Sequence, residues 1–404
     1  MNTQFKAFKL TDKVYWVGAI DWGLRDFHGY ATERGSTYNA YLVLGDKVTL
    51  IDTVKKPFFQ EMLSRISDVI DPKKIDFIVS NHCEMDHSGT IPEMVDLVKP
   101  EKVIASEMGV KGLADHFHKD IPLTAVKDGE SMSLGNTSLK FIETRMIHWP
   151  DSMFTYLEDE KILFSSDAFG MHLASSLRYA DEIDFGILHR EMKKYFANIL
   201  TPFSPLILKL LEKVTKLNLP IKMVATAHGP IWRKDFNTAF ELYSKWSKKE
   251  ASAKAVIVLD TMWHSTETMA KAIGEGINST GANAVLLPLN STHRSDVITE
   301  VLDAGALLVG SPTLNGNMLP RVADVLTYMK GLKPQNLIGC AFGSYGWNGV
   351  VVPQINQILK EMKIDLVGEG INIKYVPDEN GLKQCFELGT EIGNRLIQLV
   401  NRFK

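Results

Sequence analysis

Residues 76–89 read DFIVSNHCEMDHSG, an apolar run that gives way to a loop holding four metal-competent side chains, His82, Glu84, Asp86 and His87. The length and β-branched content of DFIVSNH (76–82) predict a buried strand. Past that strand, extended geometry would project His82, Glu84 and Asp86 to one side, and a turn after Asp86 would carry His87 toward a second ion. One short loop can therefore serve two metals, although a helix-capping loop would also explain His, Asp and Ser at such a place.

Outward from this loop the first half of the chain alternates strand-like and helix-like stretches. KVYWVGAID (13–21) and YLVLGDKVTLIDT (41–53) cluster β-branched and aromatic residues, a helix-like stretch follows near 57–70, and SLKFIETRMIHW (138–149), MFTYLEDEKILFSSD (153–167) and IKMVATAH (221–228) add strands. His148, Asp167 and His228 each fall at the end of a predicted strand, where α/β layers gather functional loops. Together with the 82–87 loop they make four histidines and three carboxylates. That set is too large for one tetrahedral zinc and suits two ions sharing a bridging carboxylate.

A different rhythm begins at Ala255. AVIVLD (255–260), AVLLPL (284–289), ALLVGSPT (306–313) and NLIGCAFGS (336–344) are short apolar strands separated by helix-length stretches, which predicts a doubly wound parallel sheet. The polar stretch KWSKKEASAK (245–254) marks the change, so the expected domains are 1–251 and 252–404. In the second domain AVIVLD runs into Thr261-Met262-Trp263-His264-Ser265-Thr266-Glu267 at a helix start, where backbone N–H groups and hydroxyls suit a phosphate. Two later strand-end loops, Ser311-Pro312-Thr313-Leu314-Asn315-Gly316-Asn317 and Phe342-Gly343-Ser344-Tyr345-Gly346-Trp347-Asn348-Gly349, are placed to flank a flat aromatic ligand at the sheet's switch point. No G-x-G-x-x-G follows the first strand, so a mononucleotide such as FMN fits better than a dinucleotide.

Composition narrows the classes further. With 48 acidic and 45 basic residues the net charge is −3, which gives no field for nucleic acid or an anionic membrane. The N-terminal MNTQFKAFKL has no signal-peptide core and no apolar run approaches bilayer length, so the cytoplasm is the expected compartment. Three scattered cysteines, Cys83, Cys340 and Cys385, without a C-x-x-C pair, indicate neither a disulfide framework nor a cysteine-only metal site.

The H-x-E-x-D-H loop followed by single His, Asp and His at strand ends resembles the metallo-β-lactamase-type αββα sandwich in the variant carried by the flavodiiron proteins. The resemblance covers nearly the whole chain in the same domain order, and implies an N-terminal metallo-β-lactamase-like αββα sandwich plus a C-terminal flavodoxin-like doubly wound parallel sheet. It implies that His82, Glu84 and His148 bind one iron, that Asp86, His87 and His228 bind the other, and that Asp167 and an oxo or hydroxo group bridge them. Zinc hydrolases of that fold usually have a second His at the position of Glu84, and a harder oxygen ligand there favours iron. RDFHGY (25–30), HWPDSM (148–153) and KKYFANIL (193–200) also resemble the family, making His28, His172 and Tyr195 candidates to shape the pocket or supply protons. The 261–267 loop resembles the flavodoxin phosphate loop, with Trp263 and His264 where Thr and Gly are usual. The implied FMN contacts are Thr261, Met262, Trp263, His264, Ser265, Thr266, Ser311, Pro312, Thr313, Leu314, Asn315, Asn317, Ser344, Tyr345, Gly346, Trp347 and Gly349.

The electron count makes independent sense of the pairing. Reduced FMN releases two electrons and two ferrous ions one each, the four needed to take dioxygen to water, while nitric oxide reduction to nitrous oxide needs two. The implied partners are one of these gases as substrate, an external donor, and a second copy in a head-to-tail homodimer or a dimer of such dimers. The donor is a rubredoxin-type protein or a reduced deazaflavin coenzyme, since no pair of C-x-x-C knuckles is present. The rival is a metal-dependent hydrolase of the same fold with an appended flavodoxin module, which zinc content and hydrolytic turnover would reveal.

Overall fold

A computed structural model describes residues 5–401, so the first four residues of the MNTQFKAFKL stretch lie outside the described residues. The chain forms two compact units, residues 1–195 with 205–244, and residues 196–204 with 245–404.

Unit 1 is built on two sheets. The larger runs in the order Phe8–Lys9, Val14–Trp16, Tyr41–Val43, Val48–Ile51, Ile75–Val79, Lys102–Ser106, Leu123–Val126, and the smaller in the order Ser131–Ser133, Ser138–Glu143, Met153–Leu157, Ile162–Phe164, Met223–Ala225. Alternation along each strand decides which residue meets which layer. Phe77 and Val79 join Trp16, Ile51 and Ile104 against Phe141, Leu157 and Phe164 of the other sheet. Ile78, Leu50 and Val103 point the opposite way, onto Met62, Ile66, Met94 and Leu113 of the helices Phe59–Val69, Ile91–Val98 and Glu107–Phe117. Sheet packed on sheet with helices outside is the sandwich expected from the sequence.

Three expected elements are shorter than their apolar patterns. KVYWVGAID divides into Val14–Trp16 and Ala19–Asp21, which pair with different strands. Gly18 allows the change of partner, because a Cβ there would lie 2.2 Å from the Tyr38 carbonyl oxygen. In SLKFIETRMIHW the strand ends at Glu143, leaving His148 on a loop. The expected linker is helical at its start, since Phe236–Lys248 continues through Lys245–Lys248 and buries Trp246.

Unit 2 is a parallel sheet in the order Asn283–Pro288, Lys254–Leu259, Ala306–Gly310, Ile338–Tyr345, with Asp365–Leu366 and Ile371–Lys374 both pairing the last of these. Val256 and Val258 face one helical layer, Ala255, Ile257 and Leu259 the other. Burial on both faces explains why these strands read as continuous apolar runs. The first strand leads to neighbours on both sides, so a crevice forms at the carboxyl ends of Lys254–Leu259 and Ala306–Gly310.

Candidate functional site

In unit 1 the loop after Ile75–Val79 brings its ligands together differently from the expected extended alternation. The chain turns at Glu84, and Asp86 and His87 sit on a four-residue helix, Met85–Ser88. The helical turn lets both face inward, and both are buried. His148, Asp167 and His228 arrive from three other loops.

Six of the seven side chains form two adjoining triads, His82, Glu84, His148 and Asp86, His87, His228, with the ligand atoms of each within 4.8 Å of one another. Glu84 Oε2 lies 3.3 Å from both His82 Nε2 and His148 Nε2. In the second triad Asp86 Oδ2 lies 3.2 Å from His228 Nε2, and Asp86 Oδ1 lies 3.5 Å from His87 Nε2. Asp167 stands between them: Oδ2 is 3.4 Å from His148 Nε2 and 3.7 Å from His82 Nε2, whereas Oδ1 is 3.2 Å from His87 Nε2 and 3.4 Å from His228 Nε2. One carboxylate therefore turns one oxygen to each triad.

The donor set fits metal ions. Nε2 of His82 and His87, both oxygens of Asp86 and Oδ2 of Asp167 are buried without a hydrogen-bond partner, which a folded protein tolerates where an ion completes them. Charge balance points the same way. Burial disfavours imidazolium, yet the adjacent carboxylates of Asp167 and Glu84 push His148 up to about 9, and those of Asp167 and Asp86 push His228 up to about 10. Burial would also raise the Asp167 carboxyl, but the surrounding imidazoles hold it well below the usual range. Protons on the imidazoles thus balance three clustered carboxylates, a task two cations would take over.

The outer contacts fix the ring orientations. His82 Nδ1 donates to Asp151 Oδ2 at 3.0 Å, and His228 Nδ1 donates to the Thr37 carbonyl at 2.6 Å, which leaves each Nε2 free to face the centre. Asp151 also accepts from the Cys83 backbone N–H. Asp52 accepts from the backbone and side-chain N–H groups of Asn81, and Thr53 donates twice to the His87 carbonyl, so both ends of the ligand loop are held. Sequence reasoning missed Asp151, Asp52 and Thr37; Asp151 lies within the quoted HWPDSM, but nothing in that string says which histidine it faces.

The three outer candidates lie close by. Tyr195 donates to Asp167 Oδ1 at 2.8 Å. His172 is buried with Nδ1 2.8 Å from Ser36 Oγ, and burial, with the nearby His228, lowers it to about 3. His28 is exposed at a turn, its Nε2 3.3 Å from Glu84 Oε1.

In unit 2 the crevice is a cavity of about 700 Å³, the size of a small-molecule site. Thr261, Met262, Trp263, Ser265, Pro312, Thr313, Leu314, Asn315, Ser344, Tyr345, Gly346 and Trp347 line it. Five expected contacts do not. His264 turns to Glu267, 2.8 Å away, Thr266 is buried beside Ser344, and Ser311 accepts from the Leu319 N–H. Asn317 pairs its backbone with Leu314, and Gly349 packs against Asn372. Gly316 and Asn348, on the two loops expected to flank the ligand, line the cavity as well, and Tyr375 and Val376 line it unpredicted. Tyr375 and Val376 follow the strand Ile371–Lys374, whose loop YVPDEN carried the turn signal that could have found them.

The helix Ser265–Asn278 opens on this cavity with no side-chain cap, so its first N–H groups are available to a phosphate. Glu267 in its first turn is paired with Lys271 and His264, which mutes its repulsion of an anion. An uncapped helix start, hydroxyls and an aromatic-rimmed slot fit a flavin mononucleotide.

Comparison with known proteins agrees with both halves. Residues 37–229 match the model of the ODP family beta lactamase and residues 257–389 that of flavodoxin. The chain is 46% identical over 391 residues to a nitric oxide reductase of Moorella thermoacetica, covering 96% of this chain and 98% of that one. It is similar to the structure of rubredoxin oxygen:oxidoreductase from Desulfovibrio gigas, with a TM-score of 0.96 and 42% identity over 98% of this chain and 100% of that one. The flavodiiron protein from Giardia intestinalis has a TM-score of 0.95 and 37% identity, with 98% of each chain covered.

Proposed function

The chain belongs to the flavodiiron proteins, and on that premise we propose that it reduces dioxygen to water and nitric oxide to nitrous oxide with electrons relayed by FMN from an external donor. The observation that carries this reading is the pair of buried triads sharing Asp167. The hydrolase alternative is not favoured, because the relatives are named as oxidoreductases. Anaerobic reduction of the purified protein, then mixing separately with dioxygen and with nitric oxide, tests it. The expected outcome is consumption of at least one gas, with water or nitrous oxide as product and no stoichiometric peroxide.

In this reading His82, Glu84 and His148 would hold one iron and Asp86, His87 and His228 the other, with Asp167 shared between the two triads. When bound, the irons supply gas binding and one-electron chemistry and the flavin a two-electron reserve. Asp151 and the Thr37 carbonyl keep the two imidazoles aimed inward. Tyr195 keeps its hydroxyl proton and donates it in a hydrogen bond to Asp167 Oδ1, and neutral His172 and exposed His28 shape the space beside the cluster. Thr261, Ser265 and the first N–H groups of Ser265–Asn278 would hold the FMN phosphate, and Trp263, Tyr345 and Trp347 would offer aromatic surface to the ring. The functional boundary at 251/252 is supported by the family models, which fall on either side of it.

The proposed donor is a rubredoxin-type protein or a reduced deazaflavin coenzyme, and the proposed assembly is a head-to-tail homodimer. Trp263 and Trp347, both lining the flavin cavity, are 87% and 91% exposed, an apolar surface for a second copy to cover. Heterodimers of a His82→Ala, His148→Ala chain with a Thr261→Ala, Thr266→Ala chain are expected to regain donor-dependent gas reduction that both parents lack. No helix among the described residues is long and apolar enough to cross a membrane, and the cytoplasm is the proposed location.

A further inference from the structure

RDFHGY folds into a minimal hairpin, Asp26–Phe27 against Tyr30–Ala31, with the register Asp26↔Ala31 and Phe27↔Tyr30. Its two turn residues, His28 and Gly29, have φ of +55° and +83°, the left-handed pair that a type I′ turn requires. This turn fixes which side chains face the protein. Phe27 points inward: its ring centroid lies 4.4 Å from that of His28 and 4.8 Å from that of His172. Tyr30, its cross-strand partner, backs the same His172 at 5.4 Å.

Phe27 lines, with His28, Lys55, Glu84, Met85 and Asp86, a cavity of about 310 Å³ beside both triads. Most of that wall is charged or polar. Only Phe27 and Met85 offer apolar surface, the side that small uncharged gases would prefer. Met85 is 45% exposed and has a flexible side chain, so it can give way. Phe27 is more firmly placed: the hairpin pairing holds its backbone and the buried His172 backs its ring.

We infer that Phe27 is the specificity-determining residue of the gas pocket, its ring limiting how many gas molecules fit beside Glu84 and Asp86. The inference rests on the gas-reductase reading above. The two reactions make different demands on space. Two nitric oxide molecules, two electrons and two protons give nitrous oxide and water, with a new N–N bond. One dioxygen, four electrons and four protons give two waters. A fixed ring beside the triads burdens the two-molecule reaction more than the one-molecule reaction.

The test uses Phe27→Ala and the milder Phe27→Leu in the full-length holoenzyme. With one donor, the ratio of kcat/KM for nitric oxide to that for dioxygen is expected to rise about tenfold in Phe27→Ala, the scale for reshaping an apolar pocket, and less in Phe27→Leu. Xenon-pressurised crystals give a second readout that needs no turnover. Xenon is expected against Phe27 in the unaltered protein and in the vacated volume in Phe27→Ala. A ratio within twofold of the original in both variants, at unchanged iron and FMN content, would overturn the inference, as would xenon absent from this cavity or unmoved by the substitution. If Phe27→Ala does not fold, Phe27→Leu decides on the same two measures. Should the unaltered protein consume neither gas, the gas-reductase reading fails on its own; xenon seated against Phe27 would still support the pocket, and its absence would overturn it.

Discussion

The metal-binding half and the flavin-binding half organise their sites in opposite ways. In unit 1 the proposed ligands are side chains; His82, Asp86, His87, Asp167 and His228 are each at most 4% exposed, the outer ring nitrogens of His82 and His228 are held by Asp151 and the Thr37 carbonyl, and the loop backbone is held through Asp52 and Thr53. In unit 2 the proposed contacts are loops around an open cavity, with Trp347 at 91% exposure and the phosphate facing backbone N–H groups. A metal centre must be rigid before the ion arrives, because clustered carboxylates and imidazoles repel or mispair unless the fold forces their positions. A flavin brings its own large apolar surface, so its loops need only be near.

That contrast makes graded predictions. The largest effect is expected from Asp167→Ala, which removes the anion between four imidazoles. Iron should fall below two per chain and gas reduction to background while FMN stays bound, as metal analysis and flavin absorbance would report. Retention of both irons would mean that the two triads are independent sites.

Next comes the double variant Thr261→Ala, Thr266→Ala. Two hydrogen bonds to a charged phosphate would be lost at roughly 1.5–3 kcal/mol each, raising the FMN Kd by about two to four orders of magnitude without changing iron content. Thr266 is the informative partner, since its hydroxyl is buried 3.4 Å from Ser344 Oγ rather than on the cavity wall. If Thr261→Ala alone accounts for the whole loss, backbone N–H groups carry the phosphate at Thr266.

Asp151→Ala probes whether the metal half depends on its outer contacts. Freed from Asp151, His82 can turn and change tautomer, and iron affinity should drop about 10–100-fold in chelator competition. An unchanged affinity would erase the distinction between a preorganised and a ligand-completed site. Tyr375→Ala should have the smallest effect, a loss of FMN affinity of about 0.5–1.5 kcal/mol if its ring packs on the flavin. Fluorescence titration of the apoprotein with FMN would measure it.

The same contrast explains what could be read in advance. Each proposed ligand is a titratable side chain in or just beyond an apolar, strand-like run, a combination rare enough to stand out in a single string of letters. The parallel sheet of unit 2 was legible because strands buried on both faces leave unbroken apolar runs. Tyr375 and Val376 were not, since a loop that contributes a surface can be written with many residues. Asp151 and Asp52 were hidden for another reason: a carboxylate that supports a histidine 69 residues away has no local pattern.

By itself the sequence determined the two-part architecture, the seven candidate ligands and the phosphate loop at a helix start, because periodicity and strand-end chemistry are local properties. Only the tertiary structure decided that Asp167 turns one oxygen to each triad, that Glu84 ends the extended run and helix Met85–Ser88 brings in Asp86 and His87, and that the hairpin tip around Phe27 walls the cavity beside them. Those facts depend on distances between segments far apart in the chain, which packing fixes and no local pattern encodes.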